Sequence, residues 1–266
     1  MRRIAGLLTI LFGLSGHGLA AQHLQLGEGS FGFVSSDGTE LVALDSLANP
    51  TRIRAALCSR ARVFRVSYAR KQARGSADNG RQVAANFPNQ PGAVFRVAGG
   101  KASADETCYL SADSTLVASA APVNAPAATT CDAARIRRMS QAKHRPVLHC
   151  WPLASVQPNV QVIAVQFALV DTSALASLVV VSQDRLLFQD FPATYRGPDS
   201  DIWRVDDGGT FSPHAFGILF FCRLRGTYVM ALTWAGAESE DSYLLVADSA
   251  DTFRSVATSY RYWVPI

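Results

Sequence analysis

The chain has 266 residues, 48% of them hydrophobic and 17% charged, which describes a folded protein with a sizeable core and excludes a disordered one. Its formal charge of +4 hides a polarity: residues 51–150 carry sixteen Lys/Arg against five Asp/Glu, and residues 151–266 carry seven against twelve. The five cysteines match no CxxC spacing, and no phosphate-cradling or dinucleotide fingerprint is present, so neither a metal site nor a cofactor is expected.

The chain opens as an export signal. Arg2 and Arg3 precede an apolar run from Ile4 to Leu14, and Gly18 and Ala20 offer the small residues of a cleavage site, so residues 1–20 read as a secretory signal peptide. That run reaches about 16 Å as a helix, roughly half of a bilayer's hydrocarbon core, too short for a spanning anchor. No cysteine follows it to carry a lipid, and no later stretch is apolar enough to span, so no stable membrane insertion is expected. The signal has a bacterial look, and the expected address is the periplasm or the medium. In such an oxidising compartment, five cysteines imply two bridges and one leftover thiol. Cys222 lies in an apolar run and reads as a buried, unpaired strand residue. Cys58 with Cys108 and Cys131 with Cys150 is then the preferred of three pairings.

Residues 21–115 form a basic, β-rich region, with strands expected at 31–34, 40–44, 62–68, 93–97 and 108–110. Asn49 and Pro50 resemble the N-cap and first residue of a short helix carrying Ile53, Ala56 and Leu57 on one face. Residues 75–92 lack periodicity and read as a loop. Residues 116–130, rich in Ala, Pro, Ser and Thr, read as a linker or loop. A brief helix is expected over 132–142, started by Thr130.

Residues 131–266 form a C-terminal antiparallel β region, either sharing one domain with 21–115 or separate from it. Strands are expected at 146–151, 160–170, 178–182, 186–191, 202–205, 216–224, 227–234, 243–247 and 260–264, parted by turn-forming Asp, Gly and Pro. The fold class is therefore mainly β, an antiparallel sandwich or barrel-like set of sheets with one or two short helices. An outer-membrane barrel is disfavoured because Ile266, not an aromatic residue, ends the chain.

The clearest local motif is Trp203–Phe211. Asp206, Gly208, Thr210 and Phe211 are similar to the Asp-box of sialidase-type propellers, with Arg204 where that family has Ser. The likeness covers eight residues and has no second copy, and in that family the box is a structural turn. A calcium site built from Asp199, Asp201, Asp206 and Asp207 is the functional alternative, but EF-hand spacing is not met. The preferred reading is a plain hairpin turn.

Two functional classes follow. The leading one is an exported, non-enzymatic binding protein, for instance an inhibitor or immunity-type factor that grips another protein. Its partner is another protein or an anionic envelope component, met by a basic surface at Arg60, Arg62 and Arg65. Nucleic acid is not expected for an exported chain lacking interleaved aromatic and basic residues. The rival is a hydrolase of envelope or cell-wall glycans centred on Asp206, Asp207 and His214, weak catalytic candidates because no nucleophile elbow accompanies them.

Overall fold

The computed structural model describes residues 24–157, 159–183, 185–197, 201–205, 207–248 and 250–263. The signal segment lies outside the described residues. The chain is mainly β, with antiparallel sheets in three layers.

The first layer is a closed barrel. Strands β1 (Gly29–Val34), β2 (Glu40–Ala43), β3 (Ala55–Cys58), β4 (Arg62–Gln72), β5 (Gly92–Ala98) and β6 (Thr107–Ser111) close in the order β1-β2-β5-β4-β3-β6. Successive side chains of a strand face opposite ways, and β5 shows the consequence. Phe95 and Val97 fill the barrel with Val34, Leu41, Ile53 and Leu110, whereas Val94 points outward and packs under Phe87. Phe87 belongs to a 3-10 helix, Ala84–Asn89, inside the expected loop.

Strand β3 corrects the short helix expected from Asn49. Only Pro50–Arg52 make a helical turn, and Asn49 offers it no side-chain cap. Ala56 and Cys58 face the barrel interior while Leu57 faces the C-terminal sheets, so β3 is buried on both faces. Such a strand lacks the alternation that would reveal it.

Helix α1 (Ser114–Ser119) and strand β7 (Ala120–Ala121) follow, then helix α2 (Ala133–Lys143). Asp113 caps α1 by accepting the N–H groups of Thr115 and Leu116, and Asp132, one residue before α2, accepts that of Arg135. The stretch expected as a linker or loop is tied to the fold: it ends α1, pairs through β7 with a strand of the central sheet, and buries Leu116 and Val123.

Strands β8 (Val147–Gln157), β9 (Val160–Phe167), β10 (Ser173–Val181) and β11 (Leu186–Thr194) form one sheet, ordered β11-β10-β9-β8. Strands β12 (Phe216–Leu224), β13 (Thr227–Ala235), β14 (Ser239–Ala247) and β15 (Phe253–Tyr262) form the central sheet, ordered β15-β14-β13-β12-β7. That sheet is apolar on both faces. Met230, Leu232 and Leu245 pack against Val162, Leu178 and Val180 of the four-stranded sheet. Val229, Ala231 and Leu244 pack against Phe31, Leu57 and Tyr109 of the barrel. A bulge between Ile218 and Phe220 lets two successive residues, Leu219 and Phe220, join the barrel-side cluster. The far face of the four-stranded sheet is covered by Ile136 and Met139 of α2, which the Cys131–Cys150 disulfide staples to β8.

A polar lock adds to the apolar seam between barrel and central sheet. Arg261 of β15 is 1% exposed and makes five hydrogen bonds, one from Nε and two from each Nη nitrogen, matching the five N–H groups of a guanidinium. The acceptors are the carbonyl oxygens of Gln82 and Asp105, the Asp105 carboxylate and the Thr107 hydroxyl. Its plane lies 4.7 Å from the Phe33 ring centroid. Thr107 in turn donates to Glu240, which is 8% exposed. Burial pushes the Glu240 carboxyl above its ordinary range, although Arg261 and Thr107 favour its charge. Glu240 sits in β14, opposite Arg261, and forms part of the boundary between the halves.

Candidate functional site

Asp207 is the structural carboxylate of its turn. It accepts backbone N–H groups from Ile202, Trp203, Arg204 and Gly209, at 2.6 to 3.2 Å. Gly208 and Gly209 then turn with positive φ, which glycine adopts without strain. Burial works against the charge, but these four donors outweigh it and hold the carboxyl below its usual range. The expected strand over 202–205 is corrected for the same reason: its N–H groups bond a carboxylate instead of a neighbouring strand. Asp206 lies outside the described residues, as does Asp199. Arg204 leaves the turn to pair with Asp241 at 2.6 Å and to lie over the Trp234 ring at 5.0 Å.

His214 is elsewhere. It sits in a 3-10 turn, Pro213–Ala215, and no hydrogen bond joins it to Asp207. Asp207 lines a small pocket beside Trp203, Phe211 and Trp234, whereas His214 lines a different and larger one. The two do not form a dyad in this structure.

The basic trio is also divided. Phe64, Val66 and Tyr68 pack into the barrel core, so Arg62, in phase with them, belongs to the inner face of β4 at the barrel's rim, where it pairs with Glu106 at 2.5 Å. Arg65 falls on the outer face, out of phase with them, and has no ion pair among the described residues. Arg60 precedes β4 in the turn Ser59–Ala61. Both Arg60 (φ 62°) and Ala61 (φ 58°) adopt left-handed backbone, unusual for non-glycine residues and costly for each. The turn is braced on both sides. The Cys58–Cys108 disulfide fixes its start, the Ser59 N–H donates to Glu106 at 2.9 Å, and Ala61 is packed against the core clusters on either face of the central sheet.

That turn brings Arg60 and His214 to one slot of about 590 Å³. The slot lies between the two sheets of the C-terminal region. One wall is β8 from Trp151 to Ala154, the other is the start of β12 from Phe216 to Ile218, and the ends are closed by the Ser59–Ala61 turn and by residues 123–129. Both walls are strand edges. On β8 the outer edge is bridged by Asn124 at Ser155, while β12 pairs with β7 at Phe221 and Cys222, is flanked by the Ser59–Ala61 turn, and gives its Phe216 N–H to the Pro213 carbonyl. No Asp or Glu lines the slot, and Arg60 has neither a hydrogen bond nor an ion pair among the described residues. Trp151, which carries the stacked His149 ring at 5.3 Å, supplies an aromatic wall. Sequence reasoning singled out Arg60 and His214 for separate reasons; it passed over Trp151 and Gly217, although a glycine inside a strand is a recognised sign of close backbone approach.

Both expected bridges are present and Cys222 is buried and unpaired; its desolvated thiol is pushed up to about 12, leaving it a core residue with no thiolate chemistry near neutral pH. Glu106 approaches the Cys58–Cys108 sulfurs, but these are bonded to each other and its carboxylate is taken by Ser59 and Arg62, so the group reads as a bracing contact. No helix of the described residues is long and apolar enough to cross a membrane. No protein-family model matches the chain, and no curated protein or solved structure gives a significant match.

Proposed function

We propose that this is an exported binding protein, of the inhibitor or immunity type, that grips another protein through the slot beside Arg60. The observation that carries the reading is Arg60, which has no hydrogen bond or ion pair among the described residues and is held in a costly backbone conformation at a groove whose described lining is aromatic and apolar, without a carboxylate. The two disulfides suit a periplasmic or secreted address, and they make the scaffold rigid enough to present a preformed site.

Capture from envelope extract tests it. The wild-type protein is expected to retain a partner that R65S also retains and that the double variant R60S/H214S loses. Retention by the double variant would remove the slot from the interaction. The rival hydrolase reading has its own test, since Asp207 is engaged by backbone donors. Replacing Asp206 and Asp207 together with Ala is expected to impair folding. A folded double variant that has lost a measurable glycan-hydrolysing activity would establish the rival instead.

A further inference from the structure

Three of the large apolar side chains exposed among the described residues gather at one corner of the four-stranded sheet: Leu148 at 54%, Leu169 at 44% and Val170 at 46%. Leu148 stands in a bulge of β8, where the register shifts between Val147 and His149. Leu169 and Val170 lead into the turn between β9 and β10, which closes between Val170 and Ser173. Two contacts bring these segments together. The Ala168 N–H donates to the Pro146 carbonyl at 2.8 Å, and Arg145 donates to the carbonyl and hydroxyl oxygens of Ser173 at 3.1 and 3.0 Å. Leu169 is in phase with Ile163, Val165 and Phe167, so it falls on the side of the sheet that α2 covers. None of the three lines the slot or the pocket at Asp207.

The charge around this corner is of one sign. Residues 133–170 contain five Lys/Arg and two His, with no Asp or Glu. Helix α2 turns Ile136 and Met139 to the sheet, which leaves Arg137 and Arg138 off its buried face. Neither has an ion pair among the described residues, whereas Arg135 is paired with Asp132 and Lys143 with Asp190. His144 ends the helix in left-handed backbone and hands the chain to Arg145 at the corner. Asp171, exposed beside Val170, opposes this field.

From this arrangement, and independently of the slot, we infer a peripheral docking surface for an anionic phospholipid bilayer. Leu148, Leu169 and Val170 enter the boundary between headgroups and acyl chains, and Arg137 and Arg138 meet the lipid phosphates. Apolar side chains sink about 5–10 Å into that boundary, and each basic residue near it adds attraction to anionic headgroups. An acidic protein would answer the charge as well, but apolar tips on a bulge and a turn offer it no pocket for an anchoring side chain.

Vesicle flotation of the protein recovered after export tests this. It should bind vesicles of phosphatidylglycerol mixed with phosphatidylcholine, not phosphatidylcholine alone, and less tightly as salt rises. R137S/R138S should weaken binding about thirtyfold and L148S/L169S about tenfold. D171N should strengthen it about fivefold, a gain that misfolding does not produce. R60S/H214S and R65S should leave it unchanged, so the result stands or falls apart from the slot. No binding to the mixed vesicles, or binding indifferent to either of the α2 and Leu double variants, would overturn the inference. So would displacement by inorganic phosphate at matched ionic strength, which would mark a site for a soluble anion. A chain that ignores vesicles but captures a protein from envelope extract through Leu148 and Arg138 would also overturn it, assigning the corner to a protein partner.

Discussion

Two arginines meet the boundary between the barrel and the C-terminal sheets, and the fold treats them in opposite ways. Arg261 is enclosed, with five hydrogen bonds, an ion pair to Asp105 and an aromatic face from Phe33. Arg60 is exposed, has no partner among the described residues, and sits in backbone that an L-residue adopts at a cost. The first pattern is that of a charge whose bonds are all spent on holding segments together. The second is that of a charge kept open by a braced scaffold. Internal satisfaction thus separates structural polarity from available polarity, which residue type and net charge do not.

The largest expected effect lies at the closed end of this contrast. R261A leaves Glu240 and Asp105 without their buried counter-charge, and chemical denaturation should show a loss of about 3–5 kcal/mol. Next comes C58S/C108S, which frees the strained turn and opens a long loop; about 2–4 kcal/mol should be lost, with Arg60 no longer held at the slot. D207A strips four backbone N–H groups of their acceptor and should cost about 1–3 kcal/mol. Because the Asp207 carboxyl lies below its usual range when folded, its contribution is present above the unfolded value and fades as pH falls toward the folded one. The smallest effect concerns Glu240. Its carboxyl is raised on folding, so its ionisation opposes folding as pH rises from the unfolded value upward. The stability of E240Q relative to wild type should therefore increase between pH 4 and pH 7, and a difference flat with pH would contradict the buried placement.

Much of the fold could be read from the sequence where one simple pattern governs. The strands of the C-terminal region stand out because turn-forming Asp, Gly and Pro part them, and Cys222 could be set aside because it lies in an apolar run. Elsewhere tertiary contacts decide. Asn49–Pro50 carries a helix-start signal, but burial of Leu57 on one side and Ala56 on the other makes the following residues a strand. Trp203 and Arg204 look like strand residues until the Asp207 carboxylate collects their N–H groups. The Ala/Pro-rich stretch hides β7, whose two residues matter only because β12 has an edge to pair. For the site, Arg60 and His214 were visible as a basic residue and a histidine. That they share a slot was not, because the slot is assembled from segments far apart in the chain and leaves no mark in local sequence.

The contrast between the two arginines is tested most directly by R60G, with thermal stability and binding of the partner captured from envelope extract measured on one sample. If Arg60 is held in left-handed backbone for the sake of an open charge, glycine should relieve the strain and stabilise the protein by about 1 kcal/mol, while affinity for the captured partner falls about tenfold. A variant that is destabilised, yet binds that partner as well as wild type, would show that Arg60 serves the fold and that the slot is not the binding site.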